Sequence, residues 1–539
     1  MSRKLQTYIT LLILSALSLV GCSEDDLNGK DVLRVGNTLV LRIQLAAPVG
    51  HTRATGNPTG GEQGDGWRVG RSNENNIYDV FLYKYSSPAG INASDDTPVT
   101  LMAFERDIDF NPSAPDANGI ITHELTFNVG EYRYLSSNND HFIAAINTEF
   151  LGYTTTLGQL RNELVTYTCR QMGTQMKDYD RFTMANAHDS EFGGGMGTKT
   201  DPYIVSIDVE RTAARLDFAY AKDAKDAGKF RIEDGKYVYK VAGTDDELQL
   251  THVRATNVMQ SAPYLIKRLA ATSTDSPAYL ADETNQATKY VVEPTTWAKT
   301  IANRNALNYN YWFRDSWYLT AHENYMKNDE TRWFRDQDKV HVGGNDTNEH
   351  NAFTDGTTLD EKENDWQYYV LGYANENTML AAETHQNYTT GLILKGTYVP
   401  HEVYSSVDAG TGVLTADGTY AAGQTFWRCH EVDSNTDLFF SNAAAAAAYQ
   451  ALHPLSVVYP YQDAQCYYNV WLRHENVIDD PTTTMMEFGI VRNNIYRVCV
   501  EFTGIGMPDI PEEMVTPETV RMFIFVRKWN LIEHPTIEI

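Results

Sequence analysis

A mainly β protein built of sandwich domains is predicted by three observations. Apolar residues recur at every second position in stretch after stretch, helical spacing is rare, and the connections are rich in Gly, Asn, Asp and Thr. The 539 residues exceed one small core, so at least two domains are expected. A hydrophobic share of 42%, with 33 tyrosines, argues against disorder. The formal charge of −27 repels phosphate backbones and argues against nucleic acid as a partner.

The chain starts "MSRKLQTYITLLILSALSLVGC", with basic Arg3 and Lys4, a mostly apolar run from Tyr8 to Val20, then small residues. As a helix that run reaches about 20 Å, short of a hydrocarbon core of about 30 Å. Residues 1–21 therefore read as a secretory signal rather than a membrane span. Its end, Leu19-Val20-Gly21-Cys22, resembles a bacterial lipobox, in which cleavage leaves a cysteine that carries a diacylglycerol. Of the other cysteines, Cys169, Cys429, Cys466 and Cys499, none forms a CxxC pair, so neither a zinc site nor a dense disulfide framework is indicated. Cys499 in "YRVCVEF" reads as a small buried hydrophobe, and one disulfide is compatible with an oxidising compartment.

The first strand is "TLVLRIQL", with Leu39, Leu41, Ile43 and Leu45 on one face. A Gly/Thr/Pro-rich loop follows, crossed by Arg53-Ala54. Further strands are expected in "NIYDVFLYKY" (76–85), "HFIAAI" (141–146), "YIVSIDVERTAARLDFAYA" (203–221) and "TGLILKGTYV" (390–399), then in "CYYNVWLRH", "NNIYRVCVEF" and "TVRMFIFVRKW". Two segments read as helices. "TLGQLRNELVTYT" (156–168) carries Leu157, Leu160 and Leu164 at helical spacing, and "NAAAAAAYQAL" (442–452) places a capping Asn before a run of alanines. "EFGGGMGTKTDP" (191–202) reads as a flexible linker, which sets a domain border at 202/203 to within about ten residues. Residues 327–365 form a polar, acidic excursion.

Catalytic and metal signatures are absent from the sequence: there is no HExxH, GxSxG or Walker GK[ST]. The run Gly193 to Gly197 lacks the Lys-Ser/Thr that would grip phosphate. Asp433, Asn435 and Asp437 have the alternation of a calcium loop but not its glycine or later glutamate, so they read as a turn. His341 and His350 flank a polar loop and read as surface residues. No carboxylate pair is marked for glycoside hydrolysis. The expectation is a non-enzymatic protein with no cofactor, no metal and no catalytic residues.

"YYNVWLRHENVIDDPTTTMMEFGIVRNNIYRVCVEFTGIGMP" (467–508), with its "VRNNIY", resembles the C-terminal domain of Bacteroidales fimbrillins, the type V pilins, and most nearly the Mfa-type fimbrial subunit of Porphyromonas. "VERTAARLDF" (209–218), "TTGLILKGTYVP" (389–400) and the terminal "MFIFVRKWNLIEHPTIEI" fit the same family, and "SEDD" after Cys22 looks like the export tag of Bacteroidales surface lipoproteins. The resemblance implies two transthyretin-like sandwiches, 54–202 and 203–539, after a propeptide of 22–53. It implies a precursor lipidated at Cys22 and cut by a protease after an arginine, here at Arg53-Ala54. The plug strand with Leu39, Leu41, Ile43 and Leu45 then leaves a groove for the C-terminal strand of another subunit. The donor residues would be Leu531, Ile532, Ile537 and Ile539.

Four plug side chains at ~2 kcal/mol each hold the precursor by roughly 8 kcal/mol before entropy. Donor and acceptor are different surfaces, so the contact is head-to-tail and gives a filament. The expected function is thus a structural subunit of a cell-surface fimbria supporting adhesion. Its partners would be copies of itself, other fimbrial subunits, the maturation protease and, for the precursor, the outer membrane. The alternatives are a surface lipoprotein that binds glycans and a tip or anchor subunit of the same fimbria.

Overall fold

The computed structural model describes residues 38–44, 67–69, 72–108, 122–128, 139–171, 179–222, 230–233, 236–256, 258–259, 262–270, 277–279, 290–294, 334–335, 362–363, 366–378, 389–474, 488–509 and 520–530. These are mainly β, with two short α-helices among the described residues.

The front of the chain supplies β1 (Thr38–Gln44), β2 (Trp67–Val69), β3 (Val80–Ser86), β4 (Pro98–Glu105), β5 (Thr122–Asn128), β6 (Asp140–Ile146) and β7 (Thr154–Thr156). It continues with α1 (Leu157–Asn162), β8 (Met184–Asn186), β9 (Glu191–Gly194) and β10 (Tyr203–Arg211). All but β2 and α1 join one nine-stranded sheet in the order β5-β1-β10-β8-β6-β3-β4-β7, with β9 also on β10. Alternation explains its faces: Leu39, Leu41 and Ile43 point inward with Val205 and Ile207. Met102 of β4 shares this core with Leu125 of β5, although the two strands lie near opposite ends of the order. The sheet therefore curls over its own apolar face. On its other side, Tyr83, Leu101 and Ile143 pack beneath Leu157 and Leu160 of α1.

Two further sheets form a sandwich. One takes β11 (Ala214–Lys222), β15 (Trp366–Ala374), β18 (Asn494–Phe502) and β19 (Val520–Asn530), and β2 pairs with β19 at its edge. The other takes β12 (Phe230–Glu233), β13 (Lys236–Lys240), β14 (Glu247–Thr256), β16 (Gly391–Val399) and β17 (Gln465–Trp471). Leu216, Phe218 and Val498 of the first face Leu250, Leu394 and Tyr468 of the second across one core. Between β16 and β17 the chain adds a five-stranded sheet and α2 (Ala443–Leu452), whose Ala445 N–H donates to the side chain of Asn442 at 2.8 Å.

Three expectations need correction. The run 203–221 is two strands in different sheets, since Thr212 and Ala213 carry the chain from one to the other. The expected linker at 191–202 is partly β9, paired with β10 through a bulge at Gly193. Gly195 closes the turn at φ +103°, where a Cβ would lie 2.0 Å from the Pro202 carbonyl oxygen. The helix at 156–168 stops at Asn162. Thr156 and Gln159 form a capping box at its start, but Leu164 leaves to bridge Tyr264, and Val165 N–H donates to Pro263 O at 3.1 Å. Asn435 makes the left-handed turn of a hairpin at φ 51°, and Asp437 accepts from Arg428 at 2.7 Å.

Candidate assembly site

The site is the slot that holds β1. On one side β1 runs parallel to β10, Leu39 opposite Tyr203 and Gln44 opposite Asp208. On the other it runs antiparallel to β5, Thr38 opposite Asn128 and Gln44 opposite Thr122. It is an interior strand with a full ladder on both edges. Leu39, Leu41 and Ile43 are each 0% exposed, while Val40 and Arg42 are partly exposed on the other face. Arg42 Nε donates to Glu124 Oε1 at 2.6 Å across the β1–β5 edge, and Thr38 N–H donates to Gly197 O at 2.7 Å.

Just beyond β2, the chain is fixed by charge. Glu74 is fully buried, accepting from Arg215 Nη1 at 3.1 Å and from the Tyr373 hydroxyl at 2.6 Å. Arg211 Nε donates to the Glu74 carbonyl at 3.1 Å and its Nη2 to Asn75 Oδ1 at 2.6 Å. Burial pulls the Arg211 guanidinium down to about 10. Arg215 also donates to both oxygens of Asp217, at 2.9 and 2.8 Å. Alongside, Arg492 donates to Glu376 at 2.7 and 2.8 Å, and Lys267 Nζ to Glu210 at 2.7 Å. Burial raises the pKa of Glu210. The motif residues Arg211, Arg215 and Arg492 thus join the two halves of the molecule. In "VRNNIY", Asn493 stands at φ 54° and donates its N–H to Ala213 O at 2.8 Å, and the Tyr496 hydroxyl accepts from Val491 N–H at 2.7 Å.

Of the residues singled out from sequence, Leu39, Leu41 and Ile43 fill the slot together. Leu45, Cys22, Arg53, Ala54 and the tail residues Leu531, Ile532, Ile537 and Ile539 lie outside the described residues, as do His341 and His350. Val520–Asn530 pairs with β18, as its alternation predicts, and its last residues also pair with β2, Trp67 opposite Lys528. Sequence reasoning missed β5 and Glu124. The signal available was the pair Leu125 and Phe127, two positions apart. It also missed the buried ionic cluster, which arginines inside an apolar strand announce. Among the described residues no group of His, Cys, Asp and Glu side chains is arranged to hold a metal ion.

Residues 460–534 match the family model of the C-terminal region of fimbrillin, the type IV major fimbrial subunit protein, which bears out the resemblance read from "VRNNIY". The match takes in β17, β18 and β19. No curated protein matches the chain. Among solved structures, a fimbrilin from Porphyromonas gingivalis is similar at 11% identity and a TM-score of 0.37, covering 93% of this chain and 100% of that one. The tip fimbrial protein Mfa3 of the same organism, with a C-terminal truncation, is similar at 8% identity and a TM-score of 0.32, covering 91% and 100%. Both likenesses are weak.

Proposed function

We propose that this chain, with its fimbrillin C-terminal region, is a structural subunit of a cell-surface fimbria that polymerises by strand exchange. A precursor lipidated at Cys22 is held at the outer membrane until a protease cuts after Arg53. β1 then gives way to the tail of a neighbouring copy, with Leu531, Ile532, Ile537 and Ile539 as its apolar residues. The observation that carries this reading is the position of β1: a strand interior to its sheet, its inward face completely buried, followed by a Gly/Thr-rich tether. Three buried side chains at about 2 kcal/mol each make roughly 6 kcal/mol of apolar burial that a donor must replace, besides two ladders of hydrogen bonds. Loss of β1 exposes two rows of unpaired backbone groups, a strong template for an added strand. Donor and acceptor surfaces differ, so the assembly is open-ended. Fibres are expected to begin at Ala54 on N-terminal sequencing, and Arg53→Ala to leave monomers. Fibres of the Arg53→Ala chain, or fibres that all start at Cys22, would refute the reading.

A further inference from the structure

We propose that the cut does not empty the slot: the severed N-terminal fragment stays bound through Thr38–Gln44 as a separate chain, and the mature monomer is a two-chain complex. This rests on cleavage after Arg53 as read above.

The reason is topological. Arg53 lies nine residues beyond Gln44, so hydrolysis there breaks one peptide bond and touches none of the pairs that hold β1. An edge strand would leave after losing one ladder, but β1 is paired along both edges. Its three inward side chains contribute to the same core as Leu82, Phe142 and Ile146 on the far side of the curled sheet, so departure opens that core to water. Among the described residues β5 pairs with β1 alone. When β1 leaves, β5 loses its place in the sheet, and its Leu125 and Phe127 lose their cover. Spontaneous loss of the fragment thus strips two strands from the sheet at once, with nothing to replace them. An incoming strand removes that penalty by pairing with β5 and β10 as the fragment peels away. The slot is therefore an interaction surface whose resident partner is the chain's own excised strand, and the fragment is released by assembly rather than by proteolysis.

The test uses the detergent-solubilised precursor, with the segment around Arg53 replaced by a site for a sequence-specific protease. After cutting, monomer and polymer are separated by size exclusion and the polypeptides in each are weighed by mass spectrometry. The expected result is one fragment per body in the monomer peak, none in the polymer, and free fragment appearing at the rate at which polymer grows. Free fragment from monomers that have not assembled overturns the proposal and leaves strand exchange intact. Fibres that retain a full complement of fragment bear out its retention but refute strand exchange, so the two readings fail separately.

Discussion

Replacing Leu41 by Ala perturbs the slot and the core that β1 closes. Leu41 is completely buried between β5 and β10, opposite Leu125 on one side and Val205 on the other. Removing a buried leucine to the β-carbon costs about 3 kcal/mol in transfer and cavity terms. That corresponds to roughly 100-fold in the equilibrium for opening the slot, at about 1.4 kcal/mol per decade. Val40, partly exposed on the opposite face, serves as the control, and Val40→Ala should cost less than about 0.5 kcal/mol. The assay is urea unfolding of the uncut precursor beside dissociation of purified fibres. Leu41→Ala should lower the precursor's midpoint, and it should leave fibres unchanged, because residue 41 is no longer in them. A precursor as stable as the wild type would mean that β1 does not hold the sheet. An equal loss in the fibre would mean that β1 is never exchanged.

Three other outcomes follow from the same geometry. Glu74→Ala removes one of the two carboxylates on the buried Arg215 guanidinium, which keeps Asp217, and should destabilise the chain by about 1–3 kcal/mol in denaturant unfolding, with Glu74→Gln milder because an amide oxygen can still accept from Tyr373. A hydrogen bond to Asp208 at 2.7 Å raises the His188 pKa to about 9, above the ordinary value of about 6.5. Protonation of His188 thus favours the folded state: its contribution is complete below about pH 6.5 and disappears as pH rises through about 9. Asp208→Asn should flatten that part of the stability profile. Burial pushes the Cys429 and Cys466 thiols up to about 12, so alkylation near neutral pH should need denaturant, and modification of the native chain would contradict the packing.

The strands were legible where alternation met burial on one face. Leu39, Leu41 and Ile43 announce both the strand and the direction it faces, whereas "NIYRVCVEF" announces a strand, β18, that is buried on both faces. The crossing at Thr212–Ala213 was not legible, because it contains neither Gly nor Pro and the apolar pattern runs on through Ala214. The chain changes sheets there without changing composition. The glycines of β9 mislead in the opposite sense: Phe192 packs against the core, but beside Gly193 and Gly194 it leaves too short a side-chain pattern to stand out from a linker. For the site, one wall could be read and the other could not. β10 is strongly patterned, whereas β5 offers Leu125 and Phe127 in a short polar context, and its role comes only from lying against β1. Pairing between distant segments is set by the fold and leaves little trace in either segment alone.

The crossing between β10 and β11 bears on how a subunit would behave when pulled. Thr212 and Ala213 are both wholly buried; Thr212 N–H donates to Thr183 O at 2.9 Å, and Ala213 O accepts from Asn493 N–H at 2.8 Å. Those two residues leave no slack to pay out, and the arginine–glutamate cluster beside them bolts the halves together. Tension entering one half passes straight into the next along a taut backbone. Any give in a filament of such subunits must then reside in the joints between them.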